Sequence, residues 1–172
     1  YHAKADEYLS SHQLADFRRC PLLYHRKKQG LIEDEDRPAY RVGRAAHMLI
    51  LEGARRFEAE YAVGAPVNPK TGNPYGPRTK AYAEWASGLD KEVLTEEKAL
   101  LCAQMNAGVG ANAVAGDLLA RGVPEGVVRA AYRGYPCQAR LDWVHPEAGI
   151  VDLKTCDELR WCEWDARRHG YA

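Results

Sequence analysis

The stretch VVRAAYRGYPCQARLDWVHPEAGIVDLKT, residues 127–155, decides the fold. Its short apolar runs are separated by a turn at Gly134 and by HPEAG at residues 145–149, so the spacing predicts three strands at about 127–132, 135–144 and 149–155. Strands joined by such short connections fold back on one another as an antiparallel meander. Side chains alternate along a strand, which puts Asp152 and Lys154 on one face and Val151 and Leu153 on the other. The second turn brings Asp142 back toward Asp152.

Upstream of the meander the apolar period changes from that of a strand to that of a helix. Ser10 and Ser11 are candidate N-caps for a helix over 11–19, and Pro21, tolerated in a first turn, opens another over 21–28 with Leu22, Leu23 and Tyr24 turned inward. Val42, Ala45, Ala46, Leu49, Ile50 and Phe57 recur at three and four and predict one helix over 40–61 that contains His47. Four prolines and three glycines make residues 64–79 a loop. Helices follow at 79–87 and, capped by Thr95, at 95–120, and a last one runs from 158 to the end. The fold class is therefore α/β: N-terminal helices, then an antiparallel β-meander, with flanking helices. The last helix is still running at Ala172, so the rest of the sheet is expected to lie beyond it, and residues 1–172 are read as one domain incomplete at its C-terminus.

Composition narrows the function. The chain has 172 residues, 46% of them hydrophobic and 28% charged, which suits a globular domain and excludes disorder and collagen. Only seven residues separate Arg44 from Glu52 in the most apolar stretch, far too few to span a membrane. The polar start YHAKADEYLS has no apolar signal core, so the expected compartment is the cytoplasm, and a start without Met is expected of a trimmed N-terminus. Twenty-four basic residues cancel twenty-four acidic ones, so any binding of nucleic acid must use a local basic surface. Cys20, Cys102, Cys137, Cys156 and Cys162 are odd in number, scattered and without a CxxC pair, as reduced thiols that pack as small hydrophobes are.

The chemistry gathers at Asp142, Asp152 and Lys154. Two carboxylates and an ammonium on one sheet face are costly to bury, and a divalent cation relieves the repulsion between the carboxylates. Hard oxygen donors select Mg2+ or Mn2+. Lys154 then stands where an attacking water, or negative charge developing on a phosphate, needs a cation. Taken alone, a D-x-K tripeptide is equally an ion pair on an exposed strand. The basic set Arg18, Arg19, Arg26, Lys27 and Lys28 reads either as a helix face neutralised by the acidic run at 33–36 or as a phosphate-facing patch. Arg140 is a further candidate contact to DNA.

Four ordered motifs, SSHQLADFRRCPLLYHRKK, GRAAHMLILEG, CQARLDWV and GIVDLKTCDELR, resemble the RecB-like branch of the PD-(D/E)XK nuclease superfamily, and most closely the phage and prophage exonucleases of the exonuclease VIII (RecE) type. The resemblance covers about residues 8–170 and implies a restriction-endonuclease-like core. It implies metal ligation by His47, Asp142, Asp152 and the backbone carbonyl of Leu153, with Lys154, Asp152 and Asp142 as catalytic residues and Mg2+ or Mn2+ as cofactor. It further implies exonucleolytic action on double-stranded DNA ends, 5′ to 3′, with a single-strand annealing protein as partner and a homo-oligomeric ring as assembly. Other nucleases of the superfamily, endonucleases or CRISPR-associated enzymes, and an inactive DNA-binding domain that kept the fold are the alternatives. The family's next motif, a Gln and a Tyr on the following helix, falls past Ala172. Glu84 and Glu125 both stand open as the additional acidic residue that related enzymes use.

Overall fold

The computed structural model describes residue 4 and residues 6–34, 36–156 and 158–169. Helix α1 (Ser11–Arg19) starts on a reciprocal capping box, in which Gln13 N donates to Ser10 Oγ at 3.2 Å and Ser10 N donates to Gln13 Oε1 at 2.8 Å. Helix α2 (Pro21–Lys28) opens on its proline, as the missing N–H permits. Phe17 and Tyr24 meet edge to face at 5.8 Å and join the two helices. Leu22, expected inside, is exposed, because the narrow stripe that a short helix turns inward is taken by Leu23 and Tyr24.

The periodic stretch 40–61 is not one helix. Helix α3 (Pro38–His47) widens into a π-helical turn (Met48–Glu52), breaks at Gly53 and resumes as α4 (Ala54–Glu60) before strand β1 (Tyr61–Val63). Gly53 has a φ of +86°, a conformation that costs an L side chain dearly, and this reorients the chain so that Phe57 and Tyr61 stack at 5.1 Å inside the core. β1 pairs in parallel with β2 (Glu92–Leu94), and strands this short leave no periodicity to read in the sequence.

Helix α5 (Lys80–Ser87) is capped by Thr79. The predicted helix 95–120 divides into α6 (Glu96–Ala111), capped by Thr95, and α7 (Ala113–Ala120). The division falls at Asn112, which leaves the helical conformation and accepts hydrogen bonds from Val114 N at 3.1 Å and Ala115 N at 3.0 Å. Ala45 and Ala46 of α3 are fully buried with Leu94 and Cys102, and small side chains of this kind let packed helices approach closely. Among the described residues no cysteine is in a disulfide, and Cys102 is a core residue as its type predicts.

The meander forms as expected, with strand order β3-β4-β5. β3 (Val123–Tyr132) and β4 (Tyr135–His145) join through Arg133 and Gly134, both at positive φ, the hairpin geometry that matches strand twist. Gly122 leads into β3 at a φ of +145°, where a Cβ would lie 2.5 Å from Val144 O, so only glycine lets the chain cross β4 there. β5 (Gly149–Val151) stops four residues short of the predicted end. The reason is local: Leu153 N donates to the Asp142 carboxylate at 2.8 Å instead of continuing a ladder. On the same side of β4, Leu9 N donates to Pro136 O and Gln138 N to Leu9 O, which seats the start of α1 against the sheet. Helix α8 (Leu159–His169) follows, and the last three residues of the expected helix lie outside the described residues. Among the described residues no helix is long and apolar enough to cross a membrane.

Candidate active site

A cleft of about 810 Å3 opens between α3, the π-helical turn and the meander, and its walls include His47, Glu52, Glu125, Arg140, Asp142 and Lys154. Strand register explains why the carboxylates converge. Pairing of Pro124 with Trp143 and of Gly126 with Leu141 sets Glu125 opposite Asp142 on one side. On the other side Trp143 pairs with Val151, the last residue of β5, and Leu153 N just beyond it donates to Asp142. Asp142 thus sits between Glu125 on β3 and the segment that follows β5.

His47 reaches this centre from α3. Its Nδ1 lies 3.7 Å from Asp142 Oδ2, the same oxygen that accepts from Leu153 N. The glycine one turn earlier has a packing reason. A Cβ on Gly43 would lie 3.1 Å from Thr155 Oγ1, so a bare Cα lets the segment after β5 pass close to α3. Asp152 and Lys154 form an ion pair with each other, both about half exposed. Lys154 lines the cleft, while Asp152 turns toward the lysine and is not among the described lining residues. The hairpin that delivers both is fixed by His145, whose Nδ1 accepts from Glu147 N at 3.1 Å and Ala148 N at 2.8 Å. The sequence marked a turn at HPEAG without showing that its histidine ties it.

Two acidic residues that the sequence left open or passed over belong to the cleft. Glu125 lines it, held by Arg140 Nε at 2.8 Å, whereas Glu84 sits exposed on α5 beside Lys80. Burial pushes the Glu125 carboxyl above its usual range, Arg140 opposes this, and the nearby Glu52 and Asp142 carboxylates reinforce it. A non-glycine residue at φ +53° is uncommon, and Glu125 adopts it where it faces Asp142. Glu52 enters because the π-helical turn swings it to the cleft, a backbone event with no sequence signal. Arg44 also lines the cleft, one turn before His47, and both its terminal nitrogens lie 3.1 Å from Asp36 Oδ1.

The basic patch of α1 and α2 is placed differently. Lys27 pairs with Asp16 at 2.8 Å and Asp34 at 2.6 Å, so the acidic run neutralises part of the patch. Asp36, from the same run, goes to Arg41 and Arg44 of α3 instead, and Glu35 lies outside the described residues. Among the described lining residues α1 contributes His12, and none of Arg18, Arg19, Arg26, Lys27 or Lys28.

Imidazole nitrogen and carboxylate oxygen are donor types that a divalent cation accepts. Burial is the largest influence on the His47 imidazole and holds its pKa below the ordinary 6.5, with Asp142 pulling it up and Lys154 pushing it down. A neutral ring keeps a lone pair to donate, and Asp142 supplies carboxylate oxygen beside it. Among the described residues no group of three or more His, Cys, Asp or Glu side chains is gathered tightly enough to hold an ion, so His47 and Asp142 form the nucleus of the site.

The depressed His47 pKa has a consequence for stability. Below pH 6.5 the unfolded chain takes up a proton that the folded chain refuses, so stability falls as pH drops from that value toward the folded pKa. The melting temperature should therefore decline more steeply on acidification from about pH 7 to about pH 5.5 in wild type than in His47→Gln. Parallel curves for the two proteins would mean that His47 titrates as an ordinary surface imidazole.

Residues 10–172 match the family model described as a PDDEXK-like domain of unknown function (DUF3799). No curated protein matches the chain. The match spans every motif that carries the cleft, from the helix with His47 to the D-x-K segment, and the chain belongs to this PDDEXK-like family.

Proposed function

We propose that this protein is a cation-dependent nuclease that hydrolyses phosphodiester bonds at the ends of duplex DNA. The observation that carries this reading is the meeting of His47 Nδ1 and Asp142 Oδ2 at 3.7 Å in a cleft that Lys154 also lines. His47 and Asp142, with Asp152 and the Leu153 carbonyl as further donors, would hold Mg2+ or Mn2+, which supplies Lewis-acid polarisation of the phosphate. The chain's own groups do the rest. Leu153 N fixes the Asp142 carboxylate in place, and burial keeps His47 unprotonated and able to donate. Lys154, oriented by Asp152, presents an ammonium to the attacking water and to the charge that grows on phosphate oxygens. Arg140, at the cleft wall, offers a planar fork to the phosphate backbone. By the resemblance, resection runs 5′ to 3′ and leaves a strand for a single-strand annealing protein, with the enzyme assembled as a ring.

Incubation with Mg2+ of linear duplex and of the same duplex as a closed circle tests the reading. Loss of the linear form alone is expected, with the 5′-labelled end released first. Cleavage of both forms would make the protein an endonuclease, and binding without cleavage of either would make it a DNA-binding domain.

A further inference from the structure

We propose that the loop of residues 64–79, with Lys80 at the start of α5, is a second DNA contact, a stiff basic finger that lies on the duplex phosphates outside the cleft. The proposal rests on the nuclease reading and extends it to substrate grip. No Asp or Glu occurs between Glu60 and Glu84, whereas Lys70, Arg78 and Lys80 give that stretch a charge of +3 in a chain whose net charge is zero. All three cations are exposed. Lys80 pairs with Glu84 at 3.6 Å, and the two side chains are 89% and 67% exposed, so solvent screens the pair. Local positive charge of this kind is what a neutral protein needs to attract a polyanion.

The loop is also shaped. Val67 and Pro74 form an isolated bridge, Asn68 N donates to Asn73 O at 2.8 Å, and Tyr75 N donates to Pro66 O at 2.9 Å. Gly72 turns the tip at a φ of +72°, and its N–H returns to Asn68 O at 2.8 Å. Four prolines restrict the rest. A loop already closed by its own hydrogen bonds loses little backbone entropy when its cations meet phosphates. Its root is close to the cleft. Tyr61 lines the cleft and Gly64 begins the loop, and three residues of extended chain span only about 10 Å. That root places the loop beside the cleft, and the proposed contact is with duplex that extends out of it.

The test measures duplex affinity against salt for the Lys154→Ala protein, in which cleavage is silenced, with and without the triple exchange Lys70→Gln, Arg78→Gln and Lys80→Gln. Each phosphate contact contributes about 0.9 to the log–log salt slope, so the triple exchange should flatten it by about 2 to 3 and weaken binding at least tenfold near 0.1 M salt. The charge-keeping exchange Lys70→Arg, Arg78→Lys and Lys80→Arg should retain the slope. An unchanged slope in the neutral variant overturns the loop contact and leaves the nuclease reading standing. So does equal loss in the charge-keeping variant, which would trace the effect to loop shape. Absence of duplex binding by the Lys154→Ala parent at low salt overturns both.

Discussion

Replacing Lys154 with alanine is expected to slow DNA cleavage by about a thousandfold, some 4 kcal/mol of barrier, while duplex affinity changes by less than about threefold. The asymmetry follows from where the ammonium stands. It lines the cleft and pairs with Asp152, so in the resting protein its charge is already partly satisfied. Its value rises only when negative charge grows on the reacting phosphate, and an interaction stronger in the transition state than in the ground state lowers turnover without lowering binding. Lys154→Arg should restore little. A guanidinium keeps the charge but is bulkier and cannot reproduce the compact point charge beside the carboxylate. The measurement is single-turnover cleavage of an end-labelled duplex alongside a binding isotherm. Cleavage by Lys154→Ala within tenfold of wild type would reduce the lysine to a surface ion-pair partner.

The parts of this fold that the sequence disclosed are those governed by local chemistry. Ser10, Pro21 and Thr95 each start a helix by supplying, or not needing, one hydrogen bond, and their helices begin where these residues say. Gly134, which the sequence marks as the turn, sets the hairpin through its positive φ, an equally local preference. The long periodic stretches misled because amphipathic spacing continues through a break. Phe57 still falls on the core side after Gly53 reverses the chain, and α7 resumes after Asn112 with no lapse in apolar content. The site divides along the same line. That Asp142 and Lys154 reach one cleft followed from a meander with two tight turns, whereas Asp152, expected to face the same way, pairs with Lys154 instead of lining it. Glu125 was not resolved from Glu84, since the choice depends on a cross-strand position that only pairing with β4 fixes. Glu52 depended on a π-helical turn, and the partial neutralisation of Lys27 depended on how the segment after α2 folds back. Both are tertiary outcomes.

Asp142→Asn should abolish the stabilisation that divalent cations confer, and with it cleavage, while leaving the fold intact. Asparagine keeps a carbonyl oxygen of the same shape, so the Leu153 N–H retains an acceptor and the hairpin retains its tie. What disappears is the negative charge beside His47. Without cation that loss is no burden. Glu125 lies directly across the strand pair and is already strained toward protonation by burial and by its acidic neighbours, so removing one of them relieves repulsion and the cation-free melting temperature should hold or rise slightly. With cation the balance reverses. A ligand that binds only the folded state stabilises it by about 2.7 kcal/mol at one hundred times its dissociation constant, so wild type should melt several degrees higher in millimolar Mn2+. Asp142→Asn should show almost none of that rise, because a neutral amide is a poor donor to a hard cation and His47 alone cannot hold one. His47→Ala removes one neutral ligand and should lose less. Paired melting curves with and without Mn2+, read beside calorimetric titration, separate the charge from the fold. Equal Mn2+ stabilisation in wild type and Asp142→Asn would show that the cation, if bound, sits elsewhere, and the assignment of this cleft as the metal centre would fall.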